Sequence, residues 1–259
     1  MVKIAVFVKQ VPASSEVETN ALTGALERQK TGVRINPYDL SGLEAALRAR
    51  EALGGSVTAI TMGPVSAREV LVQAFSMGVD EGVLVSDQAF AGADVYATSY
   101  TLSQAVKALG GFDLLVCGRQ TTDGDTAQTG PALATHLDIP CLTWVREIRE
   151  FEPEHLKAIQ KLSGGEAEAL MRLPCLVSVE REGFHPRLPS LRLKRMARQK
   201  EICTLTIENF EDRNPSHYGQ EGSPTKVERI FIPEKTRRGQ RITGEKREIV
   251  EQLKALVLE

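Results

Sequence analysis

Residues 57–86 read VTAITMGPVSAREVLVQAFSMGVDEGVLVS. Val57–Met62 and Gly82–Ser86 are short apolar runs of strand length, and between them Val70, Leu71, Ala74 and Phe75 recur at helical spacing. A strand, a crossover helix and a second strand make the unit that builds parallel sheets, because the helix both spans the long connection and covers the sheet face. The pattern repeats outward. Lys3–Val8 and Asp113–Cys117 supply two more strands. Two more helices follow from Leu40, Leu43, Ala46, Leu47 and Ala49, and from Leu102, Ala105, Val106 and Leu109. The expectation is an α/β fold with a doubly wound, mostly parallel sheet to about Trp144.

Beyond Trp144, Val145–Phe151, Leu156–Leu162 and Ala167–Leu173 alternate with polar residues, and Gly164-Gly165 supplies a hairpin turn. This predicts a small antiparallel excursion over about 145–173, after which Leu173–Glu180 returns to a buried strand. Residues 185–200, HPRLPSLRLKRMARQK, carry six Lys and Arg and no acidic residue, and their prolines restrict an exposed loop leading into a helix. From Asn209 to Gly244 the chain is rich in Gly, Pro, Arg and Ser, with one apolar run at Ile230–Ile232; an amphipathic helix with Ile249, Leu253 and Leu256 ends it. A tail so poor in core residues is expected to pack on something else. The reading is therefore an α/β domain over 1–200 and a C-terminal arm over 201–259.

Composition narrows the function. The 32 Lys and Arg nearly balance 34 Asp and Glu among 259 residues, for a net charge of −2. That balance argues against bulk attraction to a nucleic-acid polymer. With 42% hydrophobic and 25% charged residues the chain is in the globular range. Its apolar runs are too short for a signal h-region or a membrane span. Cys117, Cys141, Cys175 and Cys203 form no C-x-x-C pair, so reduced thiols and a cytoplasmic location are expected.

Ligands of open α/β sheets bind beyond the carboxyl ends of the strands. Three loops there stand out: Val8–Pro12, Thr61–Pro64 and above all Gly118–Pro131, GRQTTDGDTAQTGP. Pro131 belongs in the first turn of a helix starting near Thr129, which leaves Thr121–Gln128 as a polar loop at a helix N-terminus. Two readings stand: Asp125 or Thr129 merely caps the helix, or the free N–H groups and the helix dipole hold a phosphate. The loop's length of about ten residues favours the second. Asp123-Gly124-Asp125 opens like a calcium loop, but Ala127 and Ala134 stand where ligands are required, so no metal is expected. G-x-G-x-x-G, the P-loop and G-x-S-x-G are absent, and His136, His155, His185 and His217 lack metal-ligand spacing. No catalytic acid, base or nucleophile is assigned.

Val8-Lys9-Gln10-Val11-Pro12, Asn36-Pro37-Tyr38-Asp39, Met62-Gly63-Pro64, Met77-Gly78-Val79-Asp80 and Gly118–Pro131 resemble, in order, motifs of electron transfer flavoprotein beta subunits. Pro186-Arg187, the basic run after Leu191 and Gly222–Val227 extend the resemblance over nearly the whole chain. It implies a Rossmann-like domain whose arm wraps a larger alpha subunit, and a nucleotide in the strand-end crevice. That nucleotide is AMP in ordinary members and a second FAD in electron-bifurcating ones. Asp123–Pro131 and Gly222–Val227 look like the bifurcating type, which favours FAD with AMP as the alternative; Ala13-Ser14 departs from the Asp-Thr common there. By carry-over, Phe7, Asn36, Pro37, Tyr38, Asp39 and Met62 would line the site. So would Thr121, Thr122, Asp123, Gly124, Asp125, Thr126, Ala127, Gln128 and Thr129, with the 125–129 backbone on phosphate. Leu191 matches the leucine that anchors in a partner dehydrogenase. The implied activity passes electrons from NADH to ferredoxin or flavodoxin and, through the alpha-subunit FAD, to an acyl-CoA dehydrogenase-type partner. A different class of function, structural support by a permanently bound AMP, describes ordinary members. A free-standing nucleotide-sensing domain is disfavoured by the long arm.

Overall fold

In β1 (Lys3–Phe7), Ile4 and Val6 enter one apolar core while Ala5 and Phe7 enter another, so this strand is covered on both faces. The computed structural model describes residues 1–13, 32–226, 239 and 241–258. It divides into two units, Met1–Lys226 and Val227–Glu259. Ser14 and Ile230–Ile232, singled out above, lie outside the described residues.

In the first unit, β1 pairs in parallel with β4 (Ser56–Met62) on one side and β6 (Leu114–Gly118) on the other. Outward from β4 come β5 (Glu81–Val85) and β11 (Cys203–Leu205), both parallel. Outward from β6 come β10 (Cys175–Val179) and β7 (Cys141–Phe151), still parallel, then β8 (His155–Leu162) and β9 (Gly165–Arg172), antiparallel. The sheet of nine strands thus runs β11-β5-β4-β1-β6-β10-β7-β8-β9. A separate antiparallel pair joins β2 (Gln10–Pro12) to β3 (Val33–Ile35). The antiparallel excursion is continuous with the main sheet: one edge of β7 pairs with β10 and the other, from Val145 onward, with β8. A register shift falls at Trp144, whose φ of 58° is left-handed.

Helices complete both layers. Leu43 and Leu47 of α1 (Pro37–Leu53), Val70 and Leu71 of α2 (Arg68–Met77) and Ala197 of α5 (Leu191–Ala197) join the core of Ile4 and Val6. Leu102 and Val106 of α3 (Val95–Ala108) and Leu133 of α4 (Thr129–Leu137) join that of Ala5 and Phe7. Among the described residues no helix is long and apolar enough to cross a membrane.

The division into units falls at Lys226, not after Lys200. The segment between them adds β11 to the sheet edge and sinks Leu205, Ile207, Phe210 and Tyr218 into the second core. Phe210 stacks on Phe90 at 5.5 Å between ring centroids, and Tyr218 tilts against Phe90 at 5.4 Å. Gly219, with φ 55°, lies so close to the carbonyls of Ala89 and Ala91 that a side chain has no room. The low apolar density of this stretch conceals its core role, because two aromatic rings bury as much area as several aliphatic residues. In the second unit, α6 (Lys246–Leu258) carries Val250, Leu253 and Leu256, all exposed.

Candidate functional site

The chain leaves β1, builds β4 and β5 on one side, then returns to lay β6 on the other. At such a reversal the connecting loops diverge and leave a crevice beyond the strand ends. Here that crevice is a cleft of about 800 Å³. Its apolar wall is made by Phe7, Ile60, Met62, Val85, Phe90 and Leu102, and its polar end by Gly118–Thr121, Gly124 and Thr126–Gly130.

The polar end is built on the start of α4. α4 begins at Thr129 with Pro131 in its first turn, and its N-cap residue, Gln128, makes no side-chain cap hydrogen bond. Asp125 instead accepts from the Gln120 side-chain amide. Asp125 and Ala127 have φ of 52° and 55°, and right-handed Gln128 follows. Alternation of that kind turns successive N–H groups toward one concave side, where an anion completes them together with the helix dipole.

Phe7, Asp39, Met62, Thr121, Gly124, Thr126, Ala127, Gln128 and Thr129 line the cleft. Asn36, Pro37, Tyr38, Thr122, Asp123 and Asp125 are not on its surface but hold residues that are. Asn36, fully buried, donates to the Gln120 carbonyl (2.8 Å) and accepts from the Thr122 amide (3.2 Å), tying the start of α1 to the cradle loop. Pro37 opens α1 where no N–H is needed. Tyr38 abuts the end of β6: a Cβ on Gly118 would lie 2.6 Å from the Tyr38 carbonyl carbon and 2.8 Å from the Asp39 nitrogen. Asp123 pairs with Lys9 at 2.7 Å, drawing the cradle loop toward the end of β1.

Asp39 is buried and accepts from the Lys9 amide at 2.8 Å. Burial pushes its carboxyl up to about 7, against the opposing effect of hydrogen bonds from Lys9, Asn36 and Gly118. Between its ordinary value of 3.8 and about 7 the folded state therefore holds a proton that the unfolded chain has released. Stability should fall as pH rises through that window, at up to about 1.4 kcal/mol per pH unit. Asp39→Asn, which carries no charge at any pH, should flatten the slope in urea titrations at pH 4.5, 6 and 7.5. Parallel wild-type and variant profiles would show that Asp39 stays ionised throughout.

The sequence missed the loop 86–95, which forms one whole side of the cleft. The strand-end rule applies to β5 as to the others, but this loop lacks the hydroxyl-rich run that marks Gly118–Pro131. Asp94, which caps α3 by accepting from the Ala97 amide at 3.0 Å, was its one legible signal. Val65 was also missed as a lining residue, whereas Gly63, Pro64 and Arg119 line the cleft from within the loops Thr61–Pro64 and Gly118–Pro131 that the sequence marks. Arg119 lies 3.9 Å over the Trp144 ring and pairs with Glu180 at 3.1 Å. Away from the cleft, Leu191 opens α5 and is 83% exposed, with Leu188 at 91% just before it.

The electron transfer flavoprotein domain matches residues 23–209. The chain is 42% identical over 252 residues to the electron transfer flavoprotein subunit beta of Thermoanaerobacterium thermosaccharolyticum, covering 96% of this chain and 95% of that one. It is 39% identical over 231 residues to the subunit beta of Clostridium acetobutylicum, covering 89% and 88%. With Protein FixA of Bradyrhizobium diazoefficiens it shares 38% over 234 residues, covering 88% and 81%. Similarity of this extent takes in the sheet, the cleft loops and α5 together, and on it the chain belongs to the electron transfer flavoprotein family, on its beta-subunit and FixA side.

Proposed function

We propose that the cleft holds FAD and that the chain works as one half of a bifurcating heterodimer. That heterodimer takes electrons from NADH and delivers them to ferredoxin or flavodoxin and, through an alpha-subunit FAD, to an acyl-CoA dehydrogenase-type partner. One observation carries this reading: a cleft of about 800 Å³ that runs from an apolar wall onto the uncapped start of α4. Its volume lies in the upper part of the ~300–1,000 Å³ range of small-molecule sites. AMP has fewer than half the non-hydrogen atoms of FAD and would leave much of it unfilled. The donor set also fits, since a pyrophosphate suits amides at a helix N-terminus beside left-handed backbone.

FAD supplies two-electron exchange with NADH and one-electron exchange with the acceptors; the protein supplies binding, orientation and electrostatics. The α4 amides and the 125–129 backbone hold phosphate, and Asn36 holds the loop that carries them. Phe7, Met62 and Phe90 keep water from the apolar wall. Leu191 serves as the contact for the dehydrogenase, rimmed by Arg192, Lys194 and Arg195, which steer encounter. Val250, Leu253 and Leu256 of α6, exposed in the chain alone, are the apolar face that an alpha subunit would cover. Four free thiols suit a reducing compartment such as the cytoplasm.

The test is acid extraction of nucleotides from the chain co-purified with its alpha subunit, with FAD and AMP counted per heterodimer. Two FAD and no AMP are expected. One FAD and one AMP would make this chain the structural half of a single-flavin carrier and remove the NADH chemistry.

A further inference from the structure

We infer that Arg187 is a positioning residue for partner docking: clamped on two carboxylates of α1, it fixes the loop 185–190 so that Leu191 is presented already in place. The inference rests on the reading of Leu191 as the dehydrogenase contact.

The clamp uses the whole guanidinium. Arg187 Nε donates to Glu44 Oε2 at 2.8 Å and Nη2 to Glu44 Oε1 at 3.2 Å, while Nη1 and Nη2 donate to the Glu51 carboxylate at 2.6 and 3.3 Å. The Arg187 backbone amide adds a further bond to Glu44 Oε2 at 3.2 Å. Glu44 and Glu51 are two turns apart on one face of α1, a spacing that a planar fork spans and a single ammonium does not. Glu44 is only 4% exposed, so its charge depends on Arg187 and on Arg48, which donates from Nε at 2.8 Å.

The far end of the loop is also fixed. The Ser190 amide donates to the Ser76 carbonyl of α2 at 3.1 Å, and the Ser190 side chain caps α5. Leu188, between these two anchors, and Leu191, directly after the second, stand almost wholly in water. Holding apolar side chains out in solvent is unfavourable for the free chain and becomes favourable when a partner covers them. Fixing them beforehand removes the ordering cost that binding would otherwise meet. α1 carries the clamp along its length and Asp39, in the cleft wall, in its first turn, so one rigid helix sets the docking loop relative to the cleft.

The experiment uses the holo-heterodimer with a short-chain acyl-CoA dehydrogenase reduced by butyryl-CoA, and flavin reduction is followed against dehydrogenase concentration. Arg187→Met should raise the concentration for half-maximal rate about tenfold, with the saturated rate and the flavin content unmoved. Glu51→Gln, a change at an exposed carboxylate, should raise it about threefold, and Arg187→Lys should restore only part of the loss. Leu191→Ala should act in the same direction. The double variant with Arg187→Met should be no worse than Leu191→Ala alone, because the clamp acts through that side chain. If Leu191→Ala changes nothing, the partner reading itself fails. If Leu191→Ala impairs transfer while Arg187→Met and Glu51→Gln do not, or if the two losses multiply in full, the clamp inference is overturned.

Discussion

Phe210→Ala should cost the first unit about 3–5 kcal/mol, the range for removing a buried aromatic ring from a close-packed core. Phe210 is 2% exposed and stacks on Phe90 at an interplanar angle of 17°. Tyr218 completes the cluster at 6.0 Å from Phe210 and 5.5 Å from Tyr100 of α3. Tyr100 in turn donates its hydroxyl to Asp212 at 2.6 Å, so the segment is held by polar as well as apolar contacts. Truncation leaves a void whose lining resists collapse, since β11 is held by its pairing with β5 and α3 by its packing on α4. Phe90 also lines the cleft, so the loss should loosen the loop 86–95 and weaken nucleotide retention along with stability. Leu253→Ala in α6, at a residue 48% exposed, should by contrast stay within about 0.5 kcal/mol in the chain alone. Urea unfolding of both variants, followed by circular dichroism, makes the comparison. A cost below about 1 kcal/mol for Phe210→Ala would return residues 201–226 to the arm.

That contrast shows which physical signals the sequence carries. β1, β4, β5, β6 and β10 are legible because strands buried on both faces tolerate almost no polar residue, and their runs of Val, Ile and Leu betray them. β11 has three residues, of which Leu205 alone is buried, and no periodicity can be read from three positions. The aromatic cluster behind it forms only when Phe90 and Tyr100 are brought to Phe210 and Tyr218 from far along the chain. The loop 121–128 was legible as polar and long, but Asp125 turning to Gln120 and not to the α4 amides depends on left-handed backbone that composition does not specify. Asn36 was marked for the cleft and acts one layer behind it, because a side-chain amide is equally suited to touching a ligand and to pinning two backbone groups. Leu191 was legible as an apolar residue in a basic run; the clamp that holds its loop was not, since Arg187 and Glu44 are distant in sequence.

Gly118→Ala should destabilise the first unit by about 3 kcal/mol, the upper part of the range for overpacking, and weaken nucleotide binding at least tenfold. A single methyl has this reach because of what lies over the end of β6. The added Cβ would stand 2.5 Å from Asp39 Oδ1 and 2.6 Å from the Tyr38 carbonyl carbon, distances no real Cβ keeps. Two of the three nearest atoms are backbone of the first turn of α1, so relief requires the helix start to recede and not merely a side chain to rotate. As it recedes, Asp39 draws away from the Lys9 amide that it meets at 2.8 Å, and Asn36 draws away from Gln120 and Thr122. The loop 121–129, proposed above to hold phosphate, then loses its tie to α1, although no residue in that loop has changed. Nucleotide content per heterodimer, read beside the urea midpoint, tests the chain of consequences. A variant that unfolds early yet keeps its full nucleotide would separate the packing of α1 from the cradle. One that keeps both would show that the start of α1 can move freely, and the cleft would then owe its shape to the loops alone.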